Sequence, residues 1–108
     1  MEFAELIDRA MEIRLQYADL EATTYGRPWN LEELALGFVG DVGDLTKLLM
    51  AHGGLRSVPD AEQKLAHELA DCMWSILVLS QKVGIDLESA FLRTMDDLEL
   101  HIAALRHS

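Results

Sequence analysis

Residues 34–49 read LALGFVGDVGDLTKLL, an apolar pattern interrupted by three glycines and two aspartates. Leu34, Phe38, Val42, Leu45 and Leu49 recur at the spacing of one face of an α-helix. Each glycine in a helix interior costs about 1 kcal/mol relative to alanine. Aspartate is also a poor helix former, because its short side chain competes for backbone hydrogen bonds. The segment therefore predicts a helix in which small and acidic residues serve a purpose other than helix stability.

Three further segments have the same helical periodicity, and turn-forming residues separate them. The first helix is predicted over about residues 3–23, and the second ends near residue 52. Asn30 and Asp60 are predicted to open the second and third helices, and Asp86 to cap the fourth. The longest connection, GGLRSVPD at 53–60, is still short. Residues 1–108 therefore predict one all-α domain, a four-helix bundle.

The third predicted helix suggests that the bundle is completed by a second copy. Residues 69–79 contain one charged side chain, Asp71, and their apolar side chains point nearly all round the helix. A helix that is apolar on most sides is buried on most sides. A chain of 108 residues offers a thin core of its own, so oligomerisation is expected to cover this surface.

Composition excludes several classes of function. Nine basic against nineteen acidic residues give a formal charge of −10, which argues against binding a nucleic acid polymer. The longest strongly apolar run without charge, residues 72–81, is about half the length of a membrane span. Acidic residues near the N-terminus do not fit a secretory signal, and the single cysteine cannot form an intrachain disulfide. We expect a cytoplasmic protein without a membrane partner.

Two acid pairs are the main candidates for chemistry. Asp41 and Asp44 stand three residues apart on the second helix, and Glu68 and Asp71 repeat that spacing on the third. Antiparallel packing of the two helices would bring the four carboxylates together, and their repulsion would then call for cations. Carboxylates without Cys or His favour Mg²⁺, Mn²⁺ or Ca²⁺. The alternative is that each pair is a solvated helix surface. A ferritin-like di-iron site is not expected, because the Glu-x-x-His motif is absent from the sequence.

The segment at 34–49 and the segment HELADCMWSILVLSQKVGIDLESAF at 67–91 resemble the MazG-like superfamily of all-α nucleoside triphosphate pyrophosphohydrolases. The dCTP pyrophosphatase branch is included in this resemblance. Members carry E-x-x-E on one helix and E-x-x-D on the next, followed by an apolar run and a GIDLE-like turn. The resemblance covers about residues 34–95.

The resemblance implies a MazG-type bundle that assembles as a homodimer or tetramer. It implies that Asp41, Asp44, Glu68 and Asp71 are the catalytic metal ligands. They would bind Mg²⁺, with Mn²⁺ as a substitute, and the metal would hold the triphosphate of an NTP or dNTP. A metal-activated water would attack the α-phosphorus, giving the monophosphate and pyrophosphate. Such enzymes typically remove surplus or non-standard nucleotides.

The chain departs from the family pattern at both ends of the expected site. The first acid pair is Asp-x-x-Asp instead of Glu-x-x-Glu, so each side chain is one methylene shorter. On the fourth helix, Arg93 is the one obvious cation near the positions where the family holds phosphates.

Lys47 and Trp29 are the other substrate-binding candidates, for a phosphate and a base. A surface ion pair for Lys47 and core packing for Trp29 are the alternatives. A second hypothesis for the whole chain is a non-catalytic MazG-like oligomer that binds a nucleotide, a metal or a protein partner.

Overall fold

The computed structural model describes residues 1–54 and 59–107, which form four α-helices and contain no strand. The helices are α1 (Phe3–Tyr25), α2 (Leu31–His52), α3 (Ala61–Lys82) and α4 (Leu87–Arg106). The prediction of an all-α protein is confirmed, and a helical bundle is consistent with the structure. The connection predicted at 53–60 includes residues 55–58, which lie outside the described residues. Within the described ranges, none of the helices is apolar over enough of its length to cross a membrane.

The predicted helix starts are confirmed, with one difference in detail. The Asn30 side chain accepts a hydrogen bond from the backbone N–H of Glu33, and the Glu33 side chain accepts one from Asn30. The Asp86 side chain likewise accepts from the backbone N–H of Ser89. Asp60 precedes α3, as predicted, but its side chain makes no capping hydrogen bond and its φ is +54°. The left-handed backbone at Asp60 explains the difference, because an N-cap residue ordinarily has extended φ and ψ.

The core lies where α3 packs between α2 and α1. Ala10 of α1 contacts Leu77 and Val78 of α3, and partly buried side chains surround this cluster. On α3 the predicted apolar stripe is only partly the buried face, since Met73 and Ile76 remain 47% and 43% exposed. A helix that is apolar nearly all round does not reveal which side its neighbours will cover.

The fourth helix stands apart from the packed body. Its first turn touches the core through Leu87, whereas every described residue from 91 onward is exposed. The radius of gyration is 17.4 Å, against about 13 Å for a compact chain of this length. The apolar stripe predicted for α4 is therefore present along the helix but uncovered within one chain.

Candidate functional site

The four predicted carboxylates meet where α2 packs against α3. Ligand oxygens of Asp41, Asp44 and Glu68 all lie within 4.8 Å of one another. A second group, within the same limit, consists of Glu68, Asp71 and the imidazole of His67. Glu68 belongs to both groups, so it is the centre of what we call the acidic cluster: Asp41, Asp44, Glu68 and Asp71.

His67 is a member of this region that the sequence analysis left out. Its Nε2 lies 3.1 Å from Oδ2 of Asp71, one helical turn away, and its side chain is largely exposed. The spacing of His67 four residues before Asp71 is the signal that would have found it. A protonated His67 offsets part of the negative charge of the cluster.

Burial and mutual repulsion make the acidic cluster electrostatically unfavourable without a cation. Burial, followed by the charges of Asp71 and Asp44, raises the pKa of the Asp41 carboxyl above its ordinary value. The pKa of Glu68 is raised by the same causes, with Asp41 adding to them. The pKa of the buried Cys72 thiol is also raised, chiefly by burial and then by these acids. Each shift shows that negative charge here is held at a cost.

One oxygen of the acidic cluster lacks a hydrogen-bond donor in the part of the chain that the structure describes. Among the described residues, Oε2 of Glu68 is a buried side-chain oxygen without a hydrogen-bond partner. Leaving such an atom unsatisfied costs about 1–3 kcal/mol, and more when the group is charged. A divalent cation would satisfy it, and an all-carboxylate set suits hard ions such as Mg²⁺. The residues present therefore fit a divalent cation.

An aromatic cavity of about 450 Å³ adjoins the acidic cluster. Asp41 lies in its wall, together with side chains from α1, α3 and the connection before α2. The aromatic residues of the wall are Tyr17, Tyr25, Trp29, Phe38 and Trp74. The cavity and the acidic cluster therefore share one carboxylate.

The glycine pattern of α2 has a structural explanation at one position. A Cβ added to Gly37 would lie 3.7 Å from Cζ3 of Trp29, so the indole ring lies over the helix backbone there. Gly37 is one turn before Asp41, which places the ring beside the cavity face of α2. At Gly40 and Gly43, an added Cβ would meet no described atom within 4 Å. These two glycines leave open space on α2.

Trp74 packs against α1 and also lines the cavity. Its indole N–H donates to the backbone oxygen of Ala10 at 3.0 Å. Its ring lies 5.8 Å from that of Tyr17, in a tilted arrangement. The cavity therefore reaches from Trp74 to Asp41, a connection that the sequence analysis did not predict.

A buried ion pair in the wall of the cavity was also missed from sequence. Both terminal nitrogens of Arg14 donate to the carboxylate of Glu21, and the two residues are 3% and 7% exposed. The nearby guanidinium is the main reason that the pKa of Glu21 lies below its ordinary value. The signal was available: positions 14 and 21 fall on the same face of α1 as Ala10 and Tyr17.

The two predicted cationic residues have different positions. Lys47 lines a second cavity, of about 550 Å³, together with Asp44 and Glu68. Within the described part of the chain Lys47 forms no ion pair, so the surface-pair alternative is not seen. Arg93 lies on the exposed α4, where its charge is felt by Asp86, and it lines neither cavity.

The site thus combines a cluster suited to a hard cation with a cavity suited to a planar ring. Of the predicted residues, the four acids, Lys47 and Trp29 lie around it, and Arg93 does not. Comparisons with protein-family models, curated proteins and solved structures found no match for this chain.

Proposed function

We propose that this protein is a MazG-like nucleoside triphosphate pyrophosphohydrolase of the cytoplasm that depends on Mg²⁺ or Mn²⁺. The observation that carries the proposal is the position of Asp41, which belongs to both the acidic cluster and the aromatic cavity. A nucleoside triphosphate combines a planar ring with phosphates that bind divalent cations. One such molecule can therefore occupy both parts of the site.

The roles of the residues follow from their positions. Asp41, Asp44, Glu68 and Asp71 would hold the cation, which supplies charge neutralisation and an acidified water when bound. Trp29 provides a face on which the base stacks, and Lys47 neutralises phosphate charge at the far side of the cluster. A carboxylate of the cluster accepts a proton from the attacking water as the oxygen of that water bonds to the α-phosphorus. The bond from that phosphorus to the oxygen bridging the β-phosphorus breaks, releasing pyrophosphate.

The shorter acids of α2 are compatible with this function. Aspartate at positions 41 and 44 reaches one methylene less far than glutamate, and Mg²⁺ requires ligands at about 2.0–2.1 Å. The open space at Gly40 and Gly43 allows a phosphate or a bridging water to come close to the helix backbone. The glycines thus let a ligand approach α2 more closely, which offsets the shorter side chains of the aspartates.

We further propose that the active form is a homodimer or tetramer. Phe91, Met95, Leu98 and Ile102 follow one side of α4, and they are 40–56% exposed. Exposed apolar surface of this extent is typical of a protein interface. Leu98→Asp should convert the assembly to monomers in light scattering, whereas Leu100→Asp, on the opposite side of α4, should not. A protein that is already monomeric would contradict this proposal.

One observation favours a second candidate, a non-catalytic protein of the same type. Arg93 lies away from the acidic cluster, so Lys47 is the predicted cation that remains to hold a triphosphate. Such a protein would bind a nucleotide, a metal or a protein partner without hydrolysis.

The test is pyrophosphate release from a panel of ribo- and deoxyribonucleoside triphosphates, with Mg²⁺, with Mn²⁺ and with EDTA. The proposed enzyme gives equal amounts of pyrophosphate and monophosphate, and EDTA stops the reaction. Glu68→Gln should lose this activity, whereas Glu62→Gln, an exposed acid on the same helix, should retain it. Nucleotide binding without pyrophosphate release from any nucleotide would instead support the non-catalytic candidate.

A further inference from the structure

The ion pair between Arg14 and Glu21 is deeply buried on α1. The two side chains are 3% and 7% exposed, although α1 is covered chiefly by α3. Removing two charges from water is expensive, and a well-packed apolar pair at such positions is often as stable or more stable. Stability of α1 is therefore a weak reason for placing this pair here.

Glu21 has a second partner, which lies outside its own helix. The backbone N–H of Trp29 donates to Oε1 of Glu21 at 2.7 Å. Trp29 belongs to the connection between α1 and α2, which begins at Gly26 with a φ of +85°. An N–H in such a connection has no helical partner of its own. Glu21 therefore ties this connection to α1 at the residue whose side chain walls the cavity.

The remaining contacts place the Trp29 ring between the two helices. Its backbone is held by Glu21 of α1, and its ring lies over Gly37 of α2. Trp29 is nevertheless 38% exposed, so packing covers only part of this residue. The hydrogen bond to Glu21 is thus the polar contact that fixes the Trp29 backbone, from which the ring extends.

We propose that Glu21, braced by Arg14, is a positioning residue that holds Trp29 as a wall of the aromatic cavity and thereby sets affinity for the ring of the substrate. This inference rests on the proposed function for the identity of the ring, a nucleobase. Arg14 holds the Glu21 carboxylate in one orientation through two hydrogen bonds, which leaves Oε1 directed at the Trp29 N–H. Neither residue takes part in bond breaking.

Two variants separate positioning from stability. Arg14→Met with Glu21→Leu keeps the volume and removes both charges, so we expect it to fold while the Trp29 N–H loses its acceptor. Glu21→Gln keeps an acceptor oxygen for that N–H but leaves Arg14 with a neutral partner. Glu12→Gln is the matched control, because Glu12 forms an exposed ion pair with Arg9 on the same helix.

The readout is the fluorescence of Trp29, isolated by Trp74→Phe, which removes the other tryptophan of the chain. Acrylamide quenching reports the exposure of the ring, and titration with ribo- and deoxyribonucleosides in EDTA reports ring binding without phosphate or metal. Loss of one base-stacking contact corresponds to a fall in affinity of about tenfold. We expect that fall, with stronger quenching, in the Met/Leu variant. In Glu21→Gln the melting temperature should drop while quenching stays near the control.

For hydrolysis, the Met/Leu variant should raise KM by a similar factor and change kcat little, since the acidic cluster is untouched. The inference is overturned if the folded Met/Leu variant shows control-level quenching, or if quenching follows melting temperature across the series. A variant that does not fold leaves amide hydrogen exchange on the wild-type protein as the deciding measurement. There the Trp29 amide must be protected relative to Arg27 in the same connection, and equal exchange refutes the hydrogen bond.

These outcomes are independent of whether the protein is an enzyme. A wild-type protein that neither hydrolyses triphosphates nor binds nucleosides contradicts the proposed function. The effect of Glu21 on Trp29 quenching then still confirms or refutes the positioning role.

Discussion

Glu21 is buried and Glu68 is half-buried with its Oε2 shielded from solvent, yet the surroundings of the two glutamates are opposite. Glu21 accepts hydrogen bonds from Arg14 and from the backbone of Trp29, and its pKa is lowered. Glu68 lies among Asp41, Asp44 and Asp71, one of its oxygens has no hydrogen-bond partner within residues 1–54 and 59–107, and its pKa is raised. The Glu21 carboxylate is satisfied by the chain itself, whereas Oε2 of Glu68 finds no hydrogen-bond donor in the described part of the chain.

The difference indicates what each carboxylate is for. A buried acid whose hydrogen bonds are complete stabilises and positions the groups around it. A buried acid beside other acids is costly unless a ligand compensates for it, and such groups are typical of functional sites. The comparison therefore indicates a structural task for Glu21, and it supports the proposal that Glu68 binds a cation.

The largest change in the free energy of unfolding is expected from removing the Glu21 carboxylate, whose hydrogen bonds are complete. Glu21→Ala should lower the free energy of unfolding by about 3–5 kcal/mol, because it leaves Arg14 as an unpaired buried charge. Denaturant unfolding measures this effect. Glu12→Gln, which removes the exposed pair with Arg9, should change the free energy by no more than about 0.5 kcal/mol. Equal losses in the two variants would remove the contrast between Glu21 and an ordinary surface acid.

The next effect comes from supplying the missing partner of Glu68. Mg²⁺ at 100 times its dissociation constant should stabilise the wild-type protein by about 2.7 kcal/mol, since binding to the folded state alone shifts the equilibrium. Thermal unfolding in Mg²⁺ and in EDTA, at matched ionic strength, measures the shift. An identical shift with Na⁺ would mean that general screening of the net charge, and no specific site, is responsible.

A smaller effect is expected from removing the charge of Glu68. Glu68→Gln should raise the free energy of unfolding in EDTA by about 0.5–1 kcal/mol, because it relieves repulsion among partly exposed acids. The same variant should lose the stabilisation by Mg²⁺. Glu62→Gln serves as the control on α3 and should retain it. Loss of stability in Glu68→Gln without metal would show that the charge of Glu68 stabilises the fold, and would contradict net repulsion in the cluster.

The smallest effect concerns pH, and its sign differs between the two carboxylates. Glu68 has a raised pKa when folded, so above its ordinary value of 4.5 the folded state binds more protons. Stability should therefore fall as pH rises through this window, by less than about 1 kcal/mol. Glu21, whose pKa is lowered, contributes stability that is lost as pH falls through its folded value.

Melting temperature against pH in EDTA measures the Glu68 contribution as a difference between wild type and Glu68→Gln. The variant should approach the wild type as the solution becomes acidic, because Glu68 is then neutral in both. Parallel profiles from neutral to mildly acidic pH would contradict a raised pKa at Glu68.

Much of the acidic cluster could be predicted because its signal is local. The spacing of Asp41 from Asp44, and of Glu68 from Asp71, places each pair on one face of its own helix whatever the helix packs against. Bringing the pairs together required one assumption, that α2 and α3 pack against each other, and the structure confirms that they do. Arg93 does not adjoin the cluster within one chain, because this part of α4 is exposed and is not packed over α2 and α3.

The sequence by itself determined the four helices, their starts at Asn30 and Asp86, and the faces on which the acids lie, because helical periodicity depends on neighbours within a few residues. Tertiary structure alone decided that Arg14 and Glu21 are buried, that Oε2 of Glu68 has no hydrogen-bond partner among the residues described, and that a cavity joins Trp29 to Asp41. Burial depends on which surfaces other helices cover, and residues far apart in the chain supply those surfaces. The role of a charged side chain on an apolar stripe can therefore be inferred only when the helix that covers it is known.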